Sequence, residues 1–103
     1  MKAPKNPENE PARIAELCRL NILDTPAEPH FDRITRVAQK HFKVSIALVS
    51  LVDTERQWFK SKQGLEATET PRDISFCGHA ILSDAIFYIP NTLDDLRFAD
   101  NPL

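Results

Sequence analysis

The chain has 103 residues, a formal net charge of −2, 42% hydrophobic and 27% charged residues. That is the balance of one soluble globular domain, and it gives no electrostatic case for nucleic acid or an anionic membrane as a partner. No apolar run approaches the roughly 20 residues that cross a bilayer. The opening MKAPKNPENEPAR lacks the apolar core of a secretory signal, and the two cysteines, Cys18 and Cys77, form no paired motif. A reduced, cytoplasmic protein is the expectation. With 2 glycines against 8 prolines, Gly64 and Gly78 standing alone, a glycine-rich phosphate loop is excluded.

Residues 1–10 are polar and punctuated by proline, so a disordered segment is expected there, with a domain over 11–103. Pro11 fits the first turn of a helix, where its missing N–H is not needed. Ile14, Leu17, Cys18 and Ile22 then recur at helical spacing, and Asp24-Thr25-Pro26 ends the element. Cys18, on the apolar face, is expected to be inert core. A second helix is predicted from Pro29 to Phe42, with Phe31, Ile34, Val37, Ala38 and Phe42 as its buried stripe. His30 and His41, at opposite ends of that helix, are read as surface residues.

Val44 to Gly64 reads as a β-hairpin around Asp53-Thr54-Glu55-Arg56. The run from Ile46 to Val52 is apolar on both alternating faces, which predicts a central strand covered on both sides. Gln57 to Lys62 alternates lysines with polar residues, which predicts a half-exposed strand at a sheet edge. Leu65 to Asp73 is polar and long for a connection in so small a domain. Ser75 is placed to cap a short helix, Phe76 to Leu82. Ile86 to Ile89 reads as a third strand stopped by Pro90. Thr92 and Asp95 have the spacing of a capping box for a brief helical turn through Arg97 and Phe98.

Chemistry concentrates in TPRDISFCGHAIL, Thr70 to Leu82. Cys77 and His79, two apart on a helix, diverge by about 200°, and no other Cys–His pair supplies further metal ligands. Ser75 and His79 share a helix face, but a serine at a helix start is a cap first, and no orienting acid or oxyanion loop accompanies them. A pocket reading remains: Trp58, Phe59, Phe76, Ile81, Phe87 and Tyr88 as apolar walls, with Arg72, Ser75, Cys77 and His79 as sparse polar contacts. The competing reading is that these aromatics simply fill the core.

Three stretches, NILDTPAEPHFDRITRVAQKHFKVSIALVSLVDTERQWFKSKQGL, TPRDISFCGHAI and NTLDDLRFADNPL, resemble in order and spacing the opening two-thirds of a GAF domain. The resemblance is greatest to the kind found in bacterial sensor histidine kinases and in diguanylate cyclases and phosphodiesterases. It implies an α/β (α+β) fold, an antiparallel sheet with flanking helices, here ending after the third strand. By the same resemblance, Ile46 to Val52 is the first strand, Gln57 to Lys62 the second and Ile86 to Ile89 the third. Ser75 to Leu82 is the pocket-side helix, and Asp94 to Phe98 covers the pocket mouth. Family members continue into two further strands and a helix, one strand pairing with the first. An open edge and uncovered faces are therefore expected, satisfied by a second copy of the chain. The N-K-F and D-E motif of cyclic-nucleotide-binding members is absent. Asn91 to Leu103, where bilin-binding members carry their cysteine, has none. No cofactor is assigned.

The reading that follows is a non-catalytic sensory module of bacterial signal transduction, including two-component or cyclic di-GMP signalling. Its ligand-binding residues are Trp58, Phe59, Arg72, Ser75, Phe76, Cys77, His79 and Tyr88, with no catalytic or metal-binding residue. Its partners are an unidentified small molecule, a second copy, and an output kinase or cyclase domain if the chain is a fragment. Two alternatives belong to other classes: a dimerisation module with a filled pocket, and a small redox enzyme using Cys77.

Overall fold

The computed structural model describes residues 2–99. The first helix, α1, runs Glu10–Leu20 with proline in its first turn, and stops where Asn21 turns left-handed (φ 55°, ψ 37°) and donates its N–H to the Cys18 carbonyl. Glu10, Arg13 and Leu17 lie along one side of α1, and that side faces the molecule. Leu17 is buried, and Arg13 donates to the Val52 carbonyl. Cys18 sits about 100° round from Leu17 and is exposed, which corrects the expectation that it lies in the core.

The second helix, α2, spans Pro29–Phe42 as the sequence predicts. His30 and His41 are exposed. Its expected buried stripe is corrected. Ile34, Val37 and Phe42 are 59%, 58% and 70% exposed, while Thr35 is 1% exposed. The cause is the sheet face opposite. Ser61 and Gln63 present polar groups there, so the polar side of α2 meets them. Thr35 Oγ1 lies 2.8 Å from Ser61 Oγ, Ser61 Oγ donates to Asp32 Oδ1 at 2.6 Å, and Gln63 Nε2 donates to Thr35 at 3.3 Å. Buried polar groups demand partners, and that demand turns the apolar stripe outward.

Three antiparallel strands follow: β1 Ala47–Val52, β2 Arg56–Gln63 and β3 Glu69–Pro71, in the order β1-β2-β3. The hairpin closes where the Asp53 N–H donates to the Arg56 carbonyl at 2.8 Å. The expected ranking of the strands is reversed. The second strand is central and the first lies at an edge, because part of the polar connection after Gly64 returns as β3 and pairs Arg56, Gln57 and Trp58 with Pro71, Thr70 and Glu69. Gln57 through Ser61 are consequently buried. The register of β1 against β2 slips between Val49, opposite Ser61, and Ser50, opposite Phe59. Lys60 is the extra residue of a β-bulge. The bulge brings Lys60 to the α2 side, where its ammonium meets Glu28 Oε2 at 2.6 Å and donates to Thr25 Oγ1 and the Pro26 carbonyl, both at 2.7 Å. A lysine in an alternating pattern reads as solvent-facing, but this one is 3% exposed.

Beyond β3 a 3-10 turn, Arg72–Ile74, leads into α3, Phe76–Ala80, capped by Ser75 Oγ accepting from the Gly78 N–H at 2.9 Å. The cap is the expected one. Cys77 Sγ lies 3.2 Å from Ser50 Oγ. Val49 and Ser50 point to opposite faces of the sheet, so α3 lies on the face away from α2. The segment expected as a third strand, Ile86 to Ile89, forms none: it has no ladder partner, and Ile86 and Tyr88 are 97% and 80% exposed. A second 3-10 turn, Thr92–Asp94, is capped by the Asn91 side chain rather than by Thr92. Phe98, 2% exposed, is the best-buried large side chain, with Phe76, His79 and Phe87 rings 4.6, 4.9 and 6.1 Å away. Residues 2–9 form no helix or strand, but the Lys2 N–H donates to the Arg97 carbonyl at 3.0 Å. The expectations for Asn101 to Leu103 lie outside the described residues.

Candidate functional site

A cleft of about 580 Å³ lies between α1, β1 and α3. Leu17 and Leu20 form one wall, Leu51 and Val52 the floor, and Ala80 and Ile81 the opposite wall. The Ser50 hydroxyl and Cys77 thiol, in contact with each other, are the polar groups of its interior. At the rim Arg13 is held by both Glu10 oxygens, at 3.1 and 2.8 Å, and by the Val52 carbonyl. Glu16 is bonded to Arg19, which holds its carboxyl below the usual range. The charges at the rim are thus already paired. An apolar cleft with one small polar focus suits an apolar small molecule carrying a single hydrogen-bonding group.

The eight residues expected to bind a ligand do not converge on this cleft. Cys77 lines it. Ser75, 1% exposed, is occupied as the α3 cap, its hydroxyl donating to the Arg72 carbonyl at 2.8 Å. His79 and Phe76 pack on Phe98, and His79 Nε2 lies 2.9 Å from the Lys2 carbonyl oxygen. Trp58 and Phe59 are adjacent on β2, hence on opposite faces of the sheet, and both are buried. Tyr88 is exposed. Arg72 is 6% exposed and fully engaged: it donates to Glu10 Oε1 and Oε2 at 2.6 and 3.1 Å, and to the carbonyls of Asp53 and Thr54 at 3.0 and 3.3 Å. The guanidinium groups of Arg72 and Arg13 hold the Glu10 carboxyl down at about 2. Arg72 therefore joins α1, the hairpin turn and α3.

Of the walls named from sequence, Ile81 also faces the cleft. Sequence reasoning missed Leu17, Leu20 and Ser50. Ser50 left a signal, a hydroxyl interrupting the apolar series Ile46, Leu48, Val52. The leucines left none, because their helical spacing is that of any core-facing residue. Among the described residues no group of three or more His, Cys, Asp or Glu side chains stands together as a metal site, and no helix is long and apolar enough to cross a membrane.

No protein-family model matches the chain. A cyclic di-GMP phosphodiesterase of Pseudomonas aeruginosa is 40% identical over 102 residues, which is 99% of this chain and 17% of that protein. The chain thus spans about a sixth of the relative it matches. The expectation of a protein without enzymatic function is corrected by this finding, since the relative is named for an enzyme.

Proposed function

We propose that the chain is a GAF-type regulatory segment of a cyclic di-GMP signalling protein, acting in the cytoplasm by coupling a small molecule in the α1–β1–α3 cleft to an output domain that turns over cyclic di-GMP. The observation that carries this reading is the 40% identity along 99% of the chain to one segment of a cyclic di-GMP phosphodiesterase. The GAF-type assignment is supported by the order of the three resembling stretches and by an antiparallel sheet flanked by helices. The cleft supports the ligand: its apolar walls and its Ser50–Cys77 focus have the make-up of a small-molecule site.

The test introduces Ala80→Trp, which fills the cleft, into the chromosomal copy of the gene. Cellular cyclic di-GMP, measured by mass spectrometry, is expected to differ from wild type at equal protein level. An unchanged level overturns the signalling role. Native mass spectrometry of protein purified from cells addresses the ligand separately: a small molecule retained by wild type and lost in Ala80→Trp supports the cleft, and equal retention by both overturns it.

A second reading, self-association, is favoured by the α2 surface. Arg33, Ile34, Val37, Ala38, His41 and Phe42 form an exposed and largely apolar groove, the kind of patch that marks an interaction surface. It accommodates a second copy through a symmetric helix–helix contact. Both readings are compatible in one protein.

A further inference from the structure

We infer that residues 2–9 are a strap that fastens α3, one wall of the cleft, and that releasing the strap loosens this wall without unfolding the sheet. The inference extends the cleft reading to its regulation, but its test needs no ligand. The strap is anchored at one end to His79 and Arg97 and at the other, through Glu10, to Arg72. At one end the Lys2 N–H donates to the Arg97 carbonyl at 3.0 Å, and the Lys2 carbonyl oxygen lies 2.9 Å from His79 Nε2. At the other end the chain enters α1 at Glu10, whose carboxylate takes two hydrogen bonds from Arg72. Between the anchors Pro4 lies directly over Gly78. A Cβ on Gly78 would stand 2.6 Å from Pro4 Cγ, so the glycine is what lets the strap lie flat on the helix.

The strap's own sequence suits this role. It contains no apolar stripe, and Pro4 and Pro7 restrict its backbone, so it meets α3 through the Lys2 carbonyl and the Pro4 ring rather than through a core of its own. The helix beneath has 5 residues, too few to be stable without outside contacts. Its outside contacts are the Ser75 cap, Phe98, the Ser50–Cys77 pair and the strap. Cys77 belongs to the same short helix, so the state of the strap is reported inside the cleft.

The experiment compares the full chain with a form lacking residues 2–8, which removes Lys2 and Pro4 and keeps Glu10, both carrying Cys18→Ser so that Cys77 is the single thiol. Amide hydrogen exchange is followed by mass spectrometry and Cys77 is titrated with a maleimide. The deletion removes one hydrogen bond to α3, that between Lys2 and His79, and a bond of ordinary net strength shifts a local opening equilibrium by roughly fivefold. Exchange across Phe76 to Ile81 and the Cys77 labelling rate are expected to rise by roughly that factor, with protection of β1 and β2 unchanged. Unchanged exchange in α3 overturns the inference. So does an equal rise in the strands, which would make residues 2–8 a general stabiliser and not a strap on one wall.

Discussion

Arg72 and Lys60 are both buried cations, and their surroundings decide what their loss would do. Arg72 relies on the carboxylate of Glu10, whose folded value is lowered from 4.5 to about 2. A carboxylate lowered in this way stabilises the fold fully above the unfolded value near 4.5 and loses that contribution as pH falls toward about 2. Urea midpoints between those limits should therefore fall with pH, and Glu10→Gln should remove much of that slope. At neutral pH the same substitution leaves a buried guanidinium without its counter-ion and should cost about 3 kcal/mol in denaturant unfolding. Lys60 differs. Two neutral oxygens and the half-exposed Glu28 surround it, and the Phe31 ring lies 5.7 Å from its ammonium. Lys60→Met keeps the volume and leaves Glu28 access to water, so stability should change by about 1 kcal/mol or less. Neither burial was legible beforehand. Lys60 stands in an alternating pattern that reads as exposed, and the bulge that turns it inward has no signature in the residues themselves.

At the scale of elements, the ends are where the sequence was most informative. The bounds of α2, the Ser75 cap of α3 and the hairpin at Asp53 to Arg56 follow from short-range chemistry that any neighbour-by-neighbour reading contains. Gly64 belongs with them. It ends β2 at φ +78°, and a Cβ there would collide with the Ser45 carbonyl oxygen. Gly64→Ala should cost about 1–2 kcal/mol, from the left-handed backbone and the clash together, as read by thermal unfolding. Ser75→Ala should cost about 1 kcal/mol, with the loss of protection concentrated in α3 in hydrogen exchange. What failed at this scale was pairing. Ile86 to Ile89 has the composition of a strand, and Glu69 to Pro71 does not, yet Glu69 to Pro71 is the one on the sheet. A strand needs a neighbour with free N–H and C=O groups, and Glu69 to Pro71 lies where β2 offers them. Arg56 reinforces the choice by reaching Glu69 Oε1 at 3.3 Å while holding Asp24 and Asp53.

For the whole molecule, the exposed stripe of α2 is the largest departure from expectation and gives the clearest test of self-association. Ile34 and Val37 are more than half exposed, so replacing both with lysine should alter monomer stability by about 0.5 kcal/mol or less each. Sedimentation velocity should show the wild-type chain associating in a concentration-dependent manner and the double variant staying monomeric. A wild-type chain that is monomeric throughout removes the self-association reading and leaves the cleft reading intact. The edge of β1 makes a related point. Its pairing is with β2 alone among the described residues, in line with the open edge that the resemblance to a family with a further strand implied.

The sequence by itself determined the α+β class, the bounds of α2, the hairpin and the capped turn at Ser75, because each depends on residues within a few positions of one another. It also contained the stretches that resemble a GAF domain. Tertiary structure alone decided which strand is central, which face of α2 is buried, and which residues of TPRDISFCGHAIL meet at the cleft. Those outcomes turn on what lies opposite. A polar sheet face drew in the polar side of a helix, a distant glutamate claimed Arg72, and a bulge moved Lys60 inward. The partners are tens of residues apart along the chain, and no local pattern marks them.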